Sequence, residues 1–302
     1  NTIAVAVGTN AFVSQHIGDL ETRQSLEAFR KIASDLQVMY DVTPALVACD
    51  MHPDYFSTRE GHAMGCEVVE VQHHHAHVMS CMAENQIAGD VLGVSWDGTG
   101  FGTDGTVWGG EFLACSGSEF ERFASLRPFR LPGGEKAIKE PRRSGVGMLF
   151  ELFGDDFLQH KDNPPLSAFT VAELSVIHQM LKRGVNAPVT SSVGRLFDGV
   201  ASIIGLRQRN TFEGQAAMEL EFALSGEQSE QTYRCDVIET ANAATNTKAI
   251  PAQKGYARLT VDWETMIREM MIDVRKLVSR SLISKKFHNA LIGAIVEVAK
   301  RG

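Results

Sequence analysis

Four histidines crowd five consecutive positions, His73, His74, His75 and His77, with only Ala76 among them. On a helix, His73 and His77 stand four residues apart and share a face, which brings two imidazoles within reach of one divalent cation. His74 and His75 then point elsewhere. A solvated or partner-facing helix is the ordinary explanation of a single His pair at this spacing. Four histidines directly after a buried, strand-like run tip the reading toward metal. Two donors do not complete a site, so another element must supply oxygen or nitrogen. Asp97 is the next candidate. In Trp96-Asp97-Gly98-Thr99-Gly100 it follows a strand and precedes glycines, which sets a carboxylate at the lip of a crevice. An Asp-Gly pair alone is also an ordinary turn, and it is the coupling to the histidine helix that makes Asp97 a ligand candidate.

Glycines follow densely: Gly98, Gly100, Gly102, Gly105, Gly109 and Gly110, with Thr99, Thr103 and Thr106 between them. Without a Cβ, backbone N–H groups can approach anionic oxygens, which is how phosphate cradles form. A glycine-rich β-turn without a ligand fits the same residues, and no G-x-x-x-x-G-K-[ST] motif occurs. Further on, Ser191 or Ser192 can cap a helix in which Asp198 stands among Leu196, Phe197, Val200 and Ala201, and Gly214 opens a helix bearing Glu219. A carboxylate near a helix start can bind ribose hydroxyls, and the N-terminus itself favours anions. Both acids also fit solvated helix positions. The dense basic stretch from Lys136 through Lys139, Arg142 and Arg143 reads more readily as a solvated linker than as a holder of a phosphate, a carbamoyl group or a partner's tail.

These candidates need elements to hold them. Thr2 to Val7 and Ala11 to Ile17 read as a hairpin, Leu26, Phe29, Ile32, Leu36 and Tyr40 recur at helical spacing, and Ala45 to Cys49 reads as a buried strand. A short helix from Tyr55 to Met64, a strand from Glu67 to Val71 and a helix from His73 to Ala83 follow. A second hairpin is expected from Val91 to Trp96, a glycine-rich bend, and Thr106 to Cys115, and strand character returns from Glu121 to Leu131. Residues 132–190 read as a largely helical insertion. Helices are expected at Val193 to Ile204, Gly214 to Ser225, Asp262 to Val278 and Lys285 to Lys300. Hairpins opening mixed units about ninety residues apart suggest an α/β protein of two similar lobes, residues 1–90 and 91–302. A mixed sheet normally receives another strand after such a last helix, so the second lobe is expected to be incomplete at its C-terminus.

The 302 residues allow one large domain or two packed lobes. Hydrophobic residues make up 44% and charged residues 22%, the composition of a folded chain. The balance of 29 basic against 37 acidic residues gives a net charge of −8, which attracts neither nucleic acid nor an anionic membrane. The 5 cysteines show no C-x-x-C pair, and no membrane span or secretory signal is read, so the expected address is the cytoplasm.

Taken in order, Ser14-Gln15-His16-Ile17-Gly18-Asp19-Leu20, Asp50-Met51-His52-Pro53, Val71-Gln72-His73-His74-His75-Ala76-His77, Trp96-Asp97-Gly98-Thr99-Gly100, Trp108-Gly109-Gly110-Glu111, Pro132-Gly133-Gly134 and Glu213-Gly214-Gln215-Ala216-Ala217 resemble the hydrogenase maturation carbamoyltransferase family HypF. The resemblance is to that family's C-terminal domain, which is similar to the threonylcarbamoyl transferases of tRNA modification and to the two-lobed actin, Hsp70 and sugar-kinase superfamily of duplicated ribonuclease H-like folds. It implies that carbamoyl adenylate, made from carbamoyl phosphate and ATP by an upstream domain of HypF, donates its carbamoyl group to the C-terminal cysteine of the partner HypE. That group becomes the cyanide ligand of [NiFe] hydrogenase. It further implies a divalent metal, iron or zinc, on His73, His77 and Asp97, the phosphates along Gly98, Thr99 and Gly100, and adenosine near Asp198, Gly214 and Glu219. A late Asp of the family that completes the site is not found in this sequence. Two alternatives stay open: a tRNA threonylcarbamoyl transferase, and a catalytically silent scaffold that docks a maturation partner. The −8 charge argues against the first.

Overall fold

Gly8, at φ +59°, reverses the chain between two short strands. In the computed structural model, which describes residues 1–224, 226–240 and 257–302, β1 (Ala4–Val7) and β2 (Asn10–Val13) pair antiparallel with Val5 opposite Phe12. Phe12 stacks on Tyr40 at 3.9 Å, just past α1 (Arg23–Met39). A capping box opens α1: Thr22 Oγ1 accepts from the Ser25 amide at 3.1 Å, and Ser25 Oγ accepts from the Thr22 amide at 3.3 Å. β3 (Leu46–Asp50) and β4 (Glu67–Val71) run parallel, which requires a crossover, and α2 (Phe56–Ala63) supplies it. Gly61 lets α2 lie close on β3, since a Cβ there would stand 3.3 Å from Val47 Cγ1.

The chain divides into two compact units, Asn1–His73 and His74–Gly302. The division falls in the first turn of α3 (His73–Glu84). The second unit is built on a seven-stranded mixed sheet. β5 (Val91–Phe101) pairs antiparallel with β6 (Val107–Ser116), and β6 with β7 (Glu119–Leu126). β8 (Phe129–Arg130) and β9 (Val189–Thr190) pair antiparallel, and β9 joins β6 in parallel. On the other side β11 (Leu259–Asp262) lies parallel to β7 and antiparallel to β10 (Asp236–Glu239). Helices cover the sheet: α4 (Lys136–Lys139), α5 (Pro141–Phe153), a 3-10 turn (Gly154–Gln159), α6 (Pro164–Ser167), α7 (Val171–Arg183), α8 (Val193–Ile203), α9 (Gln215–Phe222), α10 (Glu264–Arg275) and α11 (Arg280–Ala299). Phe112, Leu126, Phe129, Leu149, Leu196, Val200, Trp263 and Phe287 form its dry centre. Among the described residues no helix is long and apolar enough to cross a membrane.

The mixed α/β expectation holds, and the segment expected to be helical after residue 132 carries α4 to α7. Three details differ. β5 does not end at Trp96 before a bend; it continues to Phe101 across an irregularity between Trp96 and Gly100, and the reversal comes later, at Gly105 with φ +75°. Cross-strand partners Gly100 to Trp108 and Phe101 to Val107 carry the ladder on past the irregularity. β9, β10 and β11, none of them expected, are each four residues or fewer. The expected helix end at Ser225 lies outside the described residues. The basic stretch is solvated only in part: Lys136 and Lys139 are exposed, whereas Arg142 is 3% exposed, pairs with Glu140 at 3.1 Å and lies 3.8 Å over the Phe169 ring, and Arg143 binds Glu140 at 2.7 Å.

Candidate functional site

The parallel register of β3 and β4 places Asp50 opposite Val71, and α3 begins two residues after Val71. His73 Nδ1 lies 2.8 Å from Asp50 Oδ2. One turn along the same helix, His77 Nε2 lies 3.6 Å from Asp97 Oδ2. Among the described residues His73, His77 and Asp97 form a group whose donor atoms all lie within 4.8 Å of one another. Two imidazoles and a carboxylate are a donor set that zinc or iron accepts. The two intervening histidines are packing residues: the buried His74 ring lies 6.3 Å from Trp108 and the His75 ring 4.8 Å from Phe120. Burial pushes His75 below the usual imidazole range. Burial alone would raise the Asp50 carboxyl, but hydrogen bonds from His73 and the His52 amide hold it below the usual carboxylate range. Residues of α3 and β5 line an open cavity of about 550 Å³ that includes His77 and Asp97 together with Val78, Cys81, Met82 and Trp96 among others.

Asp97 continues directly into the glycine-rich part of β5, and α8 meets that strand end-on. Ser192 caps α8: its Oγ accepts from the Arg195 amide at 3.2 Å and lies 2.9 Å and 2.7 Å from the carbonyl oxygens of Asp97 and Gly98, to which it donates. The approach is close because both partners are glycines, and a Cβ on Gly194 would stand 2.8 Å from Gly98 Cα. Arg195 follows on the first turn of α8. Its Nη2 stands 3.7 Å from where a Gly98 Cβ would be, and its Nη1 lies 2.9 Å from Asp198 Oδ2. Asp198 is 1% exposed, and burial pushes its carboxyl up to about 6, against the pull of Arg195. At this ion-pair distance Arg195 Nη1 and Asp198 Oδ2 make no aligned hydrogen bond, and Arg195 Nε makes none. Buried guanidinium nitrogens left in this state beside Gly98, which has no side chain, suit a polar, anionic ligand.

The Glu213 charge adds to the rise of Asp198, so the start of α9 lies near it. Gly214, at φ +75°, forms the cap of α9. Glu219, on the next turn, is held by Arg207, whose Nε donates to Oε2 at 2.9 Å. The structure thus joins Gly98 to Asp198 through Arg195 and packs α9 against α8, while Glu219 has its carboxylate committed to Arg207. Several residues that organise the hairpin escaped the sequence reading. Glu111, fully buried, accepts from Arg122 Nε at 2.6 Å and Ser191 Oγ at 2.6 Å. Arg122 also reaches Asp104 at 3.0 Å, and Asp104 accepts from Trp108 Nε1 at 2.9 Å. Glu111 had a signal, its place in Trp108-Gly109-Gly110-Glu111; Arg122, next to Glu121, and Arg195 had none.

Comparison with known proteins is decisive at the family level. Residues 1–84 match the family described as "HypF Kae1-like domain", and residues 93–302 match "Carbamoyltransferase, Kae1-like Domain, second subdomain". The chain belongs to the HypF carbamoyltransferase family. Among HypF relatives, a carbamoyltransferase HypF of Synechocystis sp. is 38% identical over 100% of this chain and 39% of that protein. One from Rhizobium leguminosarum bv. viciae is 42% identical over 73% of this chain and 28% of that protein. A crystal structure of full-length HypF in the phosphate- and nucleotide-bound form superposes with a TM-score of 0.88 at 36% identity, over 99% of this chain and 37% of that one. The chain therefore spans about two-fifths or less of the length of these HypF proteins. The α/β fold of the actin, Hsp70 and sugar-kinase type, expected from the resemblance, agrees with the HypF Kae1-like match.

Proposed function

We propose that this chain is the carbamoyl-transferring part of a cytoplasmic HypF enzyme. It takes carbamoyl adenylate, made from carbamoyl phosphate and ATP elsewhere in the full-length protein, and passes the carbamoyl group to the C-terminal cysteine of HypE. The cysteine thiolate attacks the carbamoyl carbon, the bond from that carbon to the phosphate oxygen breaks, and AMP leaves with the electron pair. The product, an S-carbamoyl cysteine, is the source of the cyanide ligand of [NiFe] hydrogenase.

The observation that carries this reading is the gathering of His73, His77 and Asp97 next to the glycine-rich strand. Those three residues would hold a divalent cation, iron or zinc, whose chemistry is to anchor phosphate oxygens and polarise the acyl phosphate. The chain's own residues do the rest. Gly98, Thr99 and Gly100 offer backbone to the phosphates without bulk, Arg195 brings a positive charge behind Gly98, and Asp198, Gly214 and Glu219 surround the nucleoside. The phosphate- and nucleotide-bound form of the full-length HypF supports a nucleotide role for the same fold.

The test uses full-length protein with His77→Ala and Asp97→Ala, read by elemental analysis and by mass spectrometry of a HypE C-terminal peptide incubated with carbamoyl phosphate and ATP. Each variant is expected to lose most of its bound metal and at least 100-fold in transfer rate. Metal content equal to wild type would remove both residues from the ligand set.

A further inference from the structure

β3 ends in a carboxylate held so firmly that its direction is set by the fold. Asp50 Oδ1 accepts the His52 amide at 2.8 Å, and its backbone carbonyl accepts the hydroxyl of buried Thr58 at 2.8 Å. The next residue, Met51, donates its amide to the Val71 carbonyl at 3.1 Å, which locks the end of β3 to the end of β4. With one oxygen committed to the chain, the other is left at 2.8 Å from His73 Nδ1. An ionised carboxylate only accepts hydrogen bonds. A neutral imidazole facing one across 2.8 Å must therefore carry its proton on Nδ1, and its lone pair is left on Nε2.

We propose that Asp50 is a positioning residue of the cation site: it fixes His73 in the Nδ1-protonated tautomer and presents Nε2 to a divalent cation. This rests on the reading of His73, His77 and Asp97 as metal donors. A ring without the carboxylate could flip about its Cβ–Cγ bond or shift its proton to Nε2, and either change removes a donor from the cluster. Outer partners of this kind commonly alter metal affinity by about 10- to 100-fold.

The experiment has two readouts, neither of which needs catalysis. In the full chain labelled with 15N-histidine, metal-free at pH 8, the His73 ring is assigned by its disappearance in His73→Gln. It should show a protonated Nδ1 and an unprotonated Nε2; a ring protonated on Nε2, or averaged between the two, overturns the proposal. This measurement needs no Asp50 variant and stands even where such a variant fails to fold. Zinc affinity, by competition with a chromophoric chelator, should fall about 10- to 100-fold in Asp50→Ala, with part of the loss recovered in Asp50→Asn, whose amide oxygen still accepts from Nδ1. Affinity within twofold of wild type in both variants overturns the proposal. Wild-type chain that binds no zinc or iron would instead sink the metal reading, a different failure, while the ring spectrum still reports which tautomer His73 holds.

Discussion

The two units of this chain are stabilised in different ways. In residues 74–302 the aromatic and aliphatic side chains of β6, β7, α5, α8, α10 and α11 are dry, and charged groups such as Arg127, Glu151 and Glu111 are buried among them in pairs. In residues 1–73 no apolar side chain is buried, and the interior positions belong to Thr58, Gly61 and Gln72. What holds that unit is local: a hairpin, a capping box, a parallel pair of strands and ion pairs such as Arg30 with Glu60 at 2.7 Å. Hydrophobic burial is the dominant favourable contribution to folding, so the second unit should carry most of the stability. The first should open at lower cost, even though it sets the direction of His73.

Core truncation gives the largest expected contrast. Trp263 is 1% exposed, meets Phe129 edge-to-face at 5.9 Å, and donates from Nε1 to the Arg127 carbonyl at 2.6 Å. Trp263→Ala should cost about 3–5 kcal/mol. Phe12→Ala, which removes a half-buried ring from the first unit, should cost about 1 kcal/mol. The chain's 3 tryptophans, Trp96, Trp108 and Trp263, all lie in the second unit. Tryptophan fluorescence during urea unfolding therefore reports that unit alone, and Phe12→Ala should leave its midpoint unchanged. A midpoint that moves as far for Phe12→Ala as for Trp263→Ala would mean that the two units unfold as one.

The contrast also explains what could be read from the sequence. Helices of about three or more turns were legible, since α1, α8 and α11 repeat apolar residues often enough to show a period. β9 with two residues and β10 and β11 with four offer no such repeat; β9 pairs with β6, β11 with β7 and β10 in turn with β11, so each depends on a strand distant in sequence. The pair His73 and His77 was legible because both sit on one helix. Asp50 as their neighbour was not, because the approach depends on the register of two strands 21 residues apart, Leu46 pairing with Glu67. Arg142 looked solvated because nothing local announces the Phe169 ring, 27 residues on, that covers it, although its carboxylate partner Glu140 is only two residues away.

Titration should separate the units next, with opposite signs. Burial pushes Glu151 up to about 7 and Asp198 up to about 6, from ordinary values of 4.5 and 3.8. Through these two groups the native second unit holds more protons than the unfolded chain between roughly pH 5 and 7, where the unit's lowered carboxylates such as Glu264 and Asp273 are already ionised, and their contribution to stability falls as pH rises through that window. Glu60 in the first unit is held below 4.5, chiefly by its hydrogen bond from Arg30, so its contribution is present above that pH and is lost on acidification. Thermal melts at pH 5 and pH 8 check the sign. Glu151→Gln should narrow the gap between the two pH values for the second unit, by an amount on the order of a few kcal/mol. A gap that widens would show that Glu151 is ionised across the window beside Arg127.

The smallest effect comes from one substitution made twice. Thr22 opens α1 and Thr170 opens α7, each through a capping box, with Glu173 bonding back to the Thr170 amide at 2.8 Å in the second case. Removing the hydroxyl costs about 1 kcal/mol at either site by the local chemistry. Their surroundings differ, because α7 buries Ile177 and Leu181 while α1 buries none of its residues. In Thr170→Ala the lost cap should therefore fray only the first turn, and amide exchange should accelerate there and not near Leu181. In Thr22→Ala nothing beyond the first turn is pinned by burial, so acceleration should spread along α1 toward Gln37, by roughly fivefold for about 1 kcal/mol. Acceleration confined to the first turn of both helices would show that α1 is anchored by half-buried contacts such as Tyr40 on Phe12 as firmly as α7 is by its core.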